Sequence, residues 1–177
     1  YERRGQGASR RDNNYFLRHQ VWKNEDQFKP RQELWSYEEN KLNIIGLGGP
    51  GCGVASGFES YEQYNVCYVD HENKHGYKNF HKVTRRSSHE EYESKYRKVK
   101  LNIDSKEKAV LVFSGAGKIS GMALRLLEQL KTNPVEILYI KPDFSLLSSV
   151  EKTRHKIVLG VLQQYARSRL VDRIHVV

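Results

Sequence analysis

The sequence is poor in cysteine and has no long apolar run. Its two cysteines, Cys52 and Cys67, lack the CxxC spacing of a zinc knuckle and do not make a disulfide framework. The longest strictly apolar stretch, at residues 109–113, has about five residues, whereas a helix that crosses a bilayer needs roughly 20. No signal-peptide pattern opens the chain. We therefore expect a protein of a reducing compartment, the cytoplasm, without membrane contact.

The chain is long enough for one domain with a buried core. A globular chain of about 150 residues already buries roughly two-thirds of the surface that it exposes when unfolded, and this chain has 177. It begins at Tyr1 rather than Met, and its last apolar run, DRIHVV, predicts a strand with no turn after it. From these two features we expect the sequence to be a piece of a longer protein, with the C-terminal part missing.

Basic residues outnumber acidic ones. Thirty Lys and Arg against 21 Asp and Glu give a formal net charge of +9, and the excess is spread along the chain. A diffuse positive charge favours acidic partners in general, whether nucleic acid, nucleotide or an acidic protein surface.

Residues 1–41 predict an extended arm that precedes the core. They are polar, with isolated aromatic residues and no sustained period of 2 or 3.6. Such a segment gains order by lying on another surface, and we expect a neighbouring subunit or the chain's own domain. Nucleic acid is a second candidate partner, since arginine binds phosphates and aromatic rings stack on bases. The residues concerned are Arg3, Arg4, Arg10 and Arg11, with Tyr1, Tyr15 and Phe16. Acidic residues dilute the charge over residues 12–39, which favours subunit bridging.

Residues 42–177 alternate short apolar runs with amphipathic segments. Unbroken apolar strands separated by helices indicate an α/β fold, with an open, mostly parallel, Rossmann-like sheet and helices on both faces. The predicted strands are residues 42–45, 64–70, 109–113, 135–140 and 173–177. The predicted helices are residues 54–61, 88–99, a segment after residue 121, and 147–168, whose apolar face carries Val150, Ile157, Val161, Leu162 and Tyr165.

Two glycine-rich turns follow buried strands. GLGGPGCG at residues 46–53 follows LNII, and SGAGKISG at residues 114–121 follows AVLVF. When a helix begins directly after such a turn, its first backbone N–H groups are free and the positive end of its dipole lies at the same place. Both features favour binding of an anion such as pyrophosphate. In a parallel sheet both turns, Asp70 and the KPD turn at residues 141–143 lie at the carboxyl edge, where ligands bind. The sequence therefore predicts a nucleotide site there.

The order of these motifs resembles the nucleotide-binding half of the tubulin/FtsZ superfamily, including its divergent phage members. GLGGPGCGVA at residues 46–55 is similar to the first glycine box of FtsZ-like proteins, and GAGKISGMA at residues 115–123 lies where the family has its GGGTGTG-type signature. The resemblance covers about residues 42–177. It implies GTP or GDP binding, with Mg²⁺ as a candidate cation, at the contact between successive subunits of a self-assembling filament.

The signature departs from the family at three positions, where Ala116, Lys118 and Ile119 replace a glycine, a threonine and a glycine. A β-branched residue tolerates positive φ poorly, so Ile119 conflicts with the loop shape of the family. Lys118 can compensate by placing an ammonium near the phosphates. The residues that read guanine and the catalytic acidic loop of the family fall beyond residue 177, so GTP hydrolysis is assigned to no residue of this chain.

The resemblance implies a set of nucleotide contacts. Backbone groups of the first turn would cradle phosphate, those of the second turn would hold the terminal phosphates, and two acids would border the sugar or a cation. In that order they are Gly48, Gly49, Gly51 and Cys52; Gly115, Gly117, Lys118, Ser120 and Gly121; and Asp70 and Asp143. No catalytic residue and no metal ligand is predicted, because the histidines of residues 71–81 lack a carboxylate or thiol pattern beside them.

Two other functions fit the same residues. A structural subunit of a larger assembly, for example a virion assembled in the cytoplasm, would keep the fold with a degenerate or empty nucleotide site and use the arm to bind neighbours. A Rossmann-type NAD enzyme would use the GxGxxG formed by Gly46, Gly48 and Gly51, with Asp70 at the end of the next strand as the ribose-binding acid. The second glycine turn is unexplained in that case. The turns can also serve tight backbone packing with no ligand at all.

Overall fold

The computed structural model describes residues 41–95, 98–103 and 106–177. The predicted arm, residues 1–41, lies outside the described residues apart from Lys41. Among the described residues, none of the helices has both the length and the apolar character needed to span a membrane.

Six parallel strands form one open sheet. Every neighbouring pair runs in the same direction. This confirms the predicted α/β fold with a parallel, Rossmann-like sheet. The strands are β1 (Leu42–Leu47), β2 (Tyr64–Asp70), β3 (Phe80–Lys82), β4 (Ala109–Phe113), β5 (Val135–Tyr139) and β6 (Arg173–Val176).

The strand order is β3-β2-β1-β4-β5-β6. The chain moves outward in one direction from β1 through β2 to β3, and in the other from β4 through β5 to β6. The neighbours β1 and β4 therefore form a topological switch point, where loops diverge and leave a crevice at the carboxyl edge. Leu47 and Phe113, the last residues of these two strands, are paired in register.

Helices cover both faces of the sheet, as predicted. On one face α1 packs Cys52 and Ala55 against the strands, and on the other a larger core includes Tyr92, Met122 and Leu162 from three further helices. Because both faces are buried, the central strands are apolar throughout rather than alternating. The described α-helices are α1 (Gly48–Ser56), α2 (His89–Ser94), α3 (Met122–Gln129) and α4 (Ser149–Arg167).

The first helix begins earlier than predicted. A helix was expected over residues 54–61, but α1 starts inside the first glycine turn and ends at Ser56. Pro50 is compatible with this start because the N–H that proline lacks has no intrahelical partner in the first helical turn. The prediction was wrong because it took the whole glycine segment as non-helical.

The second helix is shorter than predicted, but its start is as expected. Ser88 caps α2 by accepting a hydrogen bond from the Glu91 N–H at 3.2 Å, and Lys95 pairs with Glu91 across one helical turn at 2.6 Å. The helix ends at Ser94 rather than near residue 99.

The buried face of α4 differs from the prediction. Val150 and Ile157, expected to face the core, are 63% and 58% exposed, whereas His155 is only 4% exposed. Val158 and Leu162 complete the buried stripe with His155. The stripe is displaced because the imidazole of His155 is bonded to the buried Tyr139 hydroxyl, a tertiary contact that apolar spacing does not reveal.

Candidate functional site

The two glycine turns emerge side by side at the carboxyl edge of the sheet. They follow β1 and β4, which are parallel neighbours. The structure therefore brings together the two segments that the sequence analysis placed at one site.

The first turn presents the uncapped start of a helix. Gly48 has φ +69°, a left-handed conformation that favours glycine. Leu47, the residue before the helix, offers no side-chain hydrogen bond to the first helical turn. The first backbone N–H groups of α1 thus lack a side-chain partner, and the positive end of the helix dipole lies at the switch point. A Cβ added to Gly49 would meet no atom within 4 Å, so Gly49 borders open space.

Two other glycines near this turn serve packing. A Cβ on Gly51 would lie 2.2 Å from the Val112 carbonyl oxygen, and one on Gly46 would lie 2.8 Å from the Cα of Cys52. Both glycines are therefore needed for the close approach of α1 to the sheet, whatever binds at the edge.

Cys52 is a buried thiol. Its Sγ donates to the Gly46 carbonyl oxygen at 3.4 Å, and burial raises its pKa to about 12, partly offset by a hydrogen bond to Val69. A thiol that stays protonated in this way is a poor nucleophile and a poor metal ligand. Its side chain acts in packing rather than in chemistry.

The second turn is stabilised from within. The hydroxyl of Ser120 is buried and lies 2.7 Å from the Gly117 carbonyl oxygen and 3.1 Å from that of Gly115. Gly121 packs against α2, since a Cβ there would lie 2.3 Å from the His89 carbonyl oxygen. Of the predicted contacts in this turn, Gly117 and Lys118 are exposed.

A buried chain of hydrogen bonds connects the second turn to β5 and α4. The Tyr139 hydroxyl accepts a hydrogen bond from the Gly115 N–H and lies 2.7 Å from Nδ1 of His155 in α4. Burial lowers the pKa of His155, with the charges of Lys141 and Lys156 adding to the effect. Nδ1 of a neutral imidazole can accept a hydrogen bond from the Tyr139 hydroxyl. The Gly115 N–H, the Tyr139 hydroxyl and Nδ1 of His155 then each have a hydrogen-bond partner.

The side chain of Ile119, in the second turn, approaches the first turn. Its Cγ2 methyl is 2.8 Å from the position that a Cβ on Gly48 would occupy, and 3.9 Å from the corresponding position on Gly117. The side chain is half-buried and packs against the core. The space between the turns is therefore occupied in part by this methyl group. The predicted backbone conflict does not arise, because Ile119 lies in a 3-10 turn and its φ is not positive.

Two of the clefts among the described residues lie at the carboxyl edge, and these two share no lining residue. The large cleft, of about 620 Å³, lies beside the second turn between the segment leading into α2 and the start of α4; its lining includes Ser88, His89, Glu93, Lys118, Arg154 and Ile157. The small cleft, of about 180 Å³, lies beside the first turn; its lining includes Gly49, Cys52, Asp70, His71, Tyr77 and Arg85.

The large cleft has both charged and uncharged polar groups. Lys118 and Arg154 supply positive charge and Glu93 supplies negative charge, while Arg154 also donates to the Ala116 carbonyl oxygen. Nε2 of His89 is buried, and no described residue gives it a hydrogen-bond partner. Burial lowers the pKa of His89, and the Arg154 charge lowers it further. A neutral imidazole carries one donor nitrogen and one acceptor nitrogen.

Sequence reasoning missed His89 and Arg154. Neither lies in a recognisable motif, and both reach the cleft through the packing of α2 and α4 on the sheet. The sequence carries one local signal for His89. It directly follows the helix cap Ser88 and so begins a helix, and the strand before that helix ends at the carboxyl edge, which predicts that His89 lies near this edge.

The two predicted acids lie in different places. Asp70 ends β2 and lines the small cleft with Gly49, while its Oδ1 accepts the His71 N–H at 2.7 Å. Asp143 is exposed and caps a short 3-10 turn by accepting the Ser145 N–H at 2.8 Å. It lines neither cleft. Across the described ranges no three His, Cys, Asp or Glu side chains are grouped to hold a metal ion.

No protein-family model matches this sequence and no curated protein matches it, so the likeness of the two turns to the tubulin/FtsZ superfamily stays a prediction from their motifs.

Proposed function

We propose that this chain is a tubulin/FtsZ-like nucleotide-binding domain of a self-assembling protein, and that it binds GTP or GDP at the carboxyl edge of its sheet. The observation that supports this most is the meeting of the two glycine turns at the β1/β4 switch point, with the start of α1 uncapped. Backbone N–H groups and a helix dipole directed at one place favour a phosphate.

The groups around the turns fit a nucleoside polyphosphate. The exposed ammonium of Lys118 lies in the second turn, where it can offset phosphate charge. The large cleft, at about 620 Å³, is within the roughly 300–1,000 Å³ of small-molecule sites. Its lining also includes the imidazole of His89.

The proposal is of a binding site rather than of a hydrolase. Burial raises the pKa of both thiols, to about 12 for Cys52 and about 11 for Cys67. Neither is therefore a nucleophile at neutral pH. No residue of this chain is proposed as catalytic or as specific for guanine.

Exposed apolar side chains near the large cleft support the self-assembly part of the proposal. Val150 and Ile157 line the cleft and are 63% and 58% exposed. Apolar side chains grouped around a cleft are typical of protein contacts. A subunit seated there would cover the nucleotide, as the resemblance to filament-forming proteins implies.

Titration calorimetry of the full chain with GTP, GDP and NAD tests the nucleotide site. We expect GTP and GDP to bind and to raise the melting temperature. Gly117→Val should weaken GTP binding by about tenfold or more, equivalent to about 1.4 kcal/mol, because the added side chain projects beside the phosphates. The backbone accepts this change, since the nearest atom to a Cβ there is 3.9 Å away.

Gly160→Val is the matched control. A Cβ on Gly160, in α4, would meet nothing within 4 Å, and GTP affinity should be unchanged. If neither GTP nor GDP binds the wild-type chain or shifts its melting temperature, the nucleotide proposal is wrong.

A structural subunit without nucleotide is the second candidate function. The contact between Ile119 and Gly48 favours it, because the methyl group occupies space between the turns. In that case the protein forms oligomers that GTP and GDP leave unchanged.

A dinucleotide-dependent enzyme is the third candidate. Asp70 lies in the small cleft beside Gly49, as the ribose-binding acid of a Rossmann-type NAD domain would. NAD binding that Asp70→Asn weakens, without GTP binding, would support this candidate in place of the first.

A further inference from the structure

We propose that the side chain of Ile119 is a gate, which must turn away before the phosphates of a nucleotide reach the first glycine turn. This inference rests on the proposed nucleotide-binding function. It assigns to one residue the control of access to the switch point.

The contact geometry supports a closed gate. Cγ2 of Ile119 lies 2.8 Å from the Cβ position of Gly48. Because Ile119 belongs to the second turn, its methyl group occupies space beside Gly48 of the first turn, where a polyphosphate that spans both turns would lie. The ligand and the closed side chain therefore exclude each other.

The backbone that carries Ile119 is held in place, whereas its side chain is only half-buried. The Ser120 N–H bonds the Gly117 carbonyl oxygen at 3.2 Å, and the Ser120 hydroxyl bonds the same turn at 2.7 Å. Gly115, at the start of the turn, is fixed by Tyr139. Rotation of the Ile119 side chain between staggered positions opens the passage with less disturbance than movement of the loop.

Opening the gate would free the space between the two glycine turns. Lys118 lines the large cleft and Gly49 lines the small one, and no residue lines both. With Ile119 turned away, a polyphosphate can lie across the switch point and use the N–H groups of the first turn together with the Lys118 ammonium. The apparent affinity of such a site is reduced by the fraction of molecules in which the gate is open.

Titration calorimetry of the full chain with GTP and with pyrophosphate tests the gate in two variants. Ile119→Ala removes the Cγ2 methyl, and we expect GTP and pyrophosphate to bind about tenfold more tightly than to the wild-type chain, as for an open fraction of about one-tenth. Ile119→Val retains a methyl at the Cγ2 position and removes only the end of the side chain. Its affinities should stay within about twofold of wild type by the same relation.

The outcomes separate the gate from the nucleotide site. If all three proteins bind GTP with equal affinity while remaining folded by circular dichroism, the gate is refuted and nucleotide binding stands. If Ile119→Ala and Ile119→Val tighten binding equally, the Cγ2 contact is not the barrier and the gate is refuted. If none binds GTP or pyrophosphate, both the gate and the proposed function are wrong.

Discussion

Gly51 in α1 lies so close to Val112 in β4 that a Cβ on the glycine would be 2.2 Å from the valine carbonyl oxygen. No real Cβ contact is that short, and the obstacle is backbone rather than a flexible side chain. The helix that begins in the first glycine turn is thus seated on the strand that leads to the second. This contact holds the two turns together at the switch point.

Gly51→Ala should therefore destabilise the protein. Overpacking a tight contact costs about 1–3 kcal/mol, and we expect a loss in that range or above it in urea denaturation. Gly53→Ala is the matched control in the same helix, because a Cβ there would meet nothing within 4 Å. It should stabilise by about 0.5–1 kcal/mol, since glycine is the poorer residue in a helix interior. Equal stabilities for the two variants would contradict the packing role of Gly51.

Tyr139→Phe should lower the stability of the protein, because the partners of the hydroxyl lose their hydrogen bonds. The change leaves the Gly115 N–H and Nδ1 of His155 without the hydroxyl that bonds both. An unsatisfied buried group costs about 1–3 kcal/mol, and the free energy of unfolding should fall by about that amount. Tyr61→Phe is the control, since Tyr61 is 53% exposed, and surface changes of this kind stay within about 0.5 kcal/mol. A Tyr139→Phe protein as stable as Tyr61→Phe would show that the chain of hydrogen bonds is unimportant.

The melting temperature should fall as the pH is lowered from 7.5 to 5. Burial lowers the pKa of His81, His89 and His155 from the ordinary value of 6.5. Below that value the unfolded chain takes up protons that the folded chain does not, so the stability contributed by neutral imidazoles is complete above pH 6.5 and is lost on acidification.

Histidine variants test this assignment. Melting curves of His155→Gln should depend less on pH over this range than those of the wild-type chain. His75→Gln, a change in an exposed ring, should leave the pH dependence unaltered. A wild-type melting temperature that does not change between pH 7.5 and 5 would rule out the neutral buried histidines.

Deleting residues 1–41 should weaken oligomers and leave the domain folded. The segment is polar with spaced aromatic residues, a pattern that favours binding to another surface. Sedimentation velocity reports the oligomers, and circular dichroism reports the fold. Oligomers that survive the deletion unchanged would remove the subunit-bridging role.

The sheet was predictable from the sequence because its strands are buried on both faces. A run such as AVLVF at residues 109–113 has no polar interruption, and such runs separated by amphipathic segments indicate parallel pairing. The meeting of the two glycine turns at one edge followed from the same pattern, since the carboxyl ends of parallel neighbours lie together.

Features set by tertiary packing were not predictable. His155 enters the core only because Tyr139 bonds it, and this contact displaces the buried stripe of α4. His89 and Arg154 reach the large cleft from helices that are far apart in sequence. The place of Ile119 over Gly48 depends on the distance between two loops, which no residue spacing encodes.

The free space around each glycine also determines which positions at the carboxyl edge of the sheet accept a side chain. Gly46, Gly51 and Gly121 admit no side chain, because a Cβ at each would lie within 3 Å of another backbone. Gly49 and Gly117 face solvent with space for new atoms. A hydroxyl, an amide or a charge added at these two positions therefore changes the chemistry of this edge without displacing the backbone.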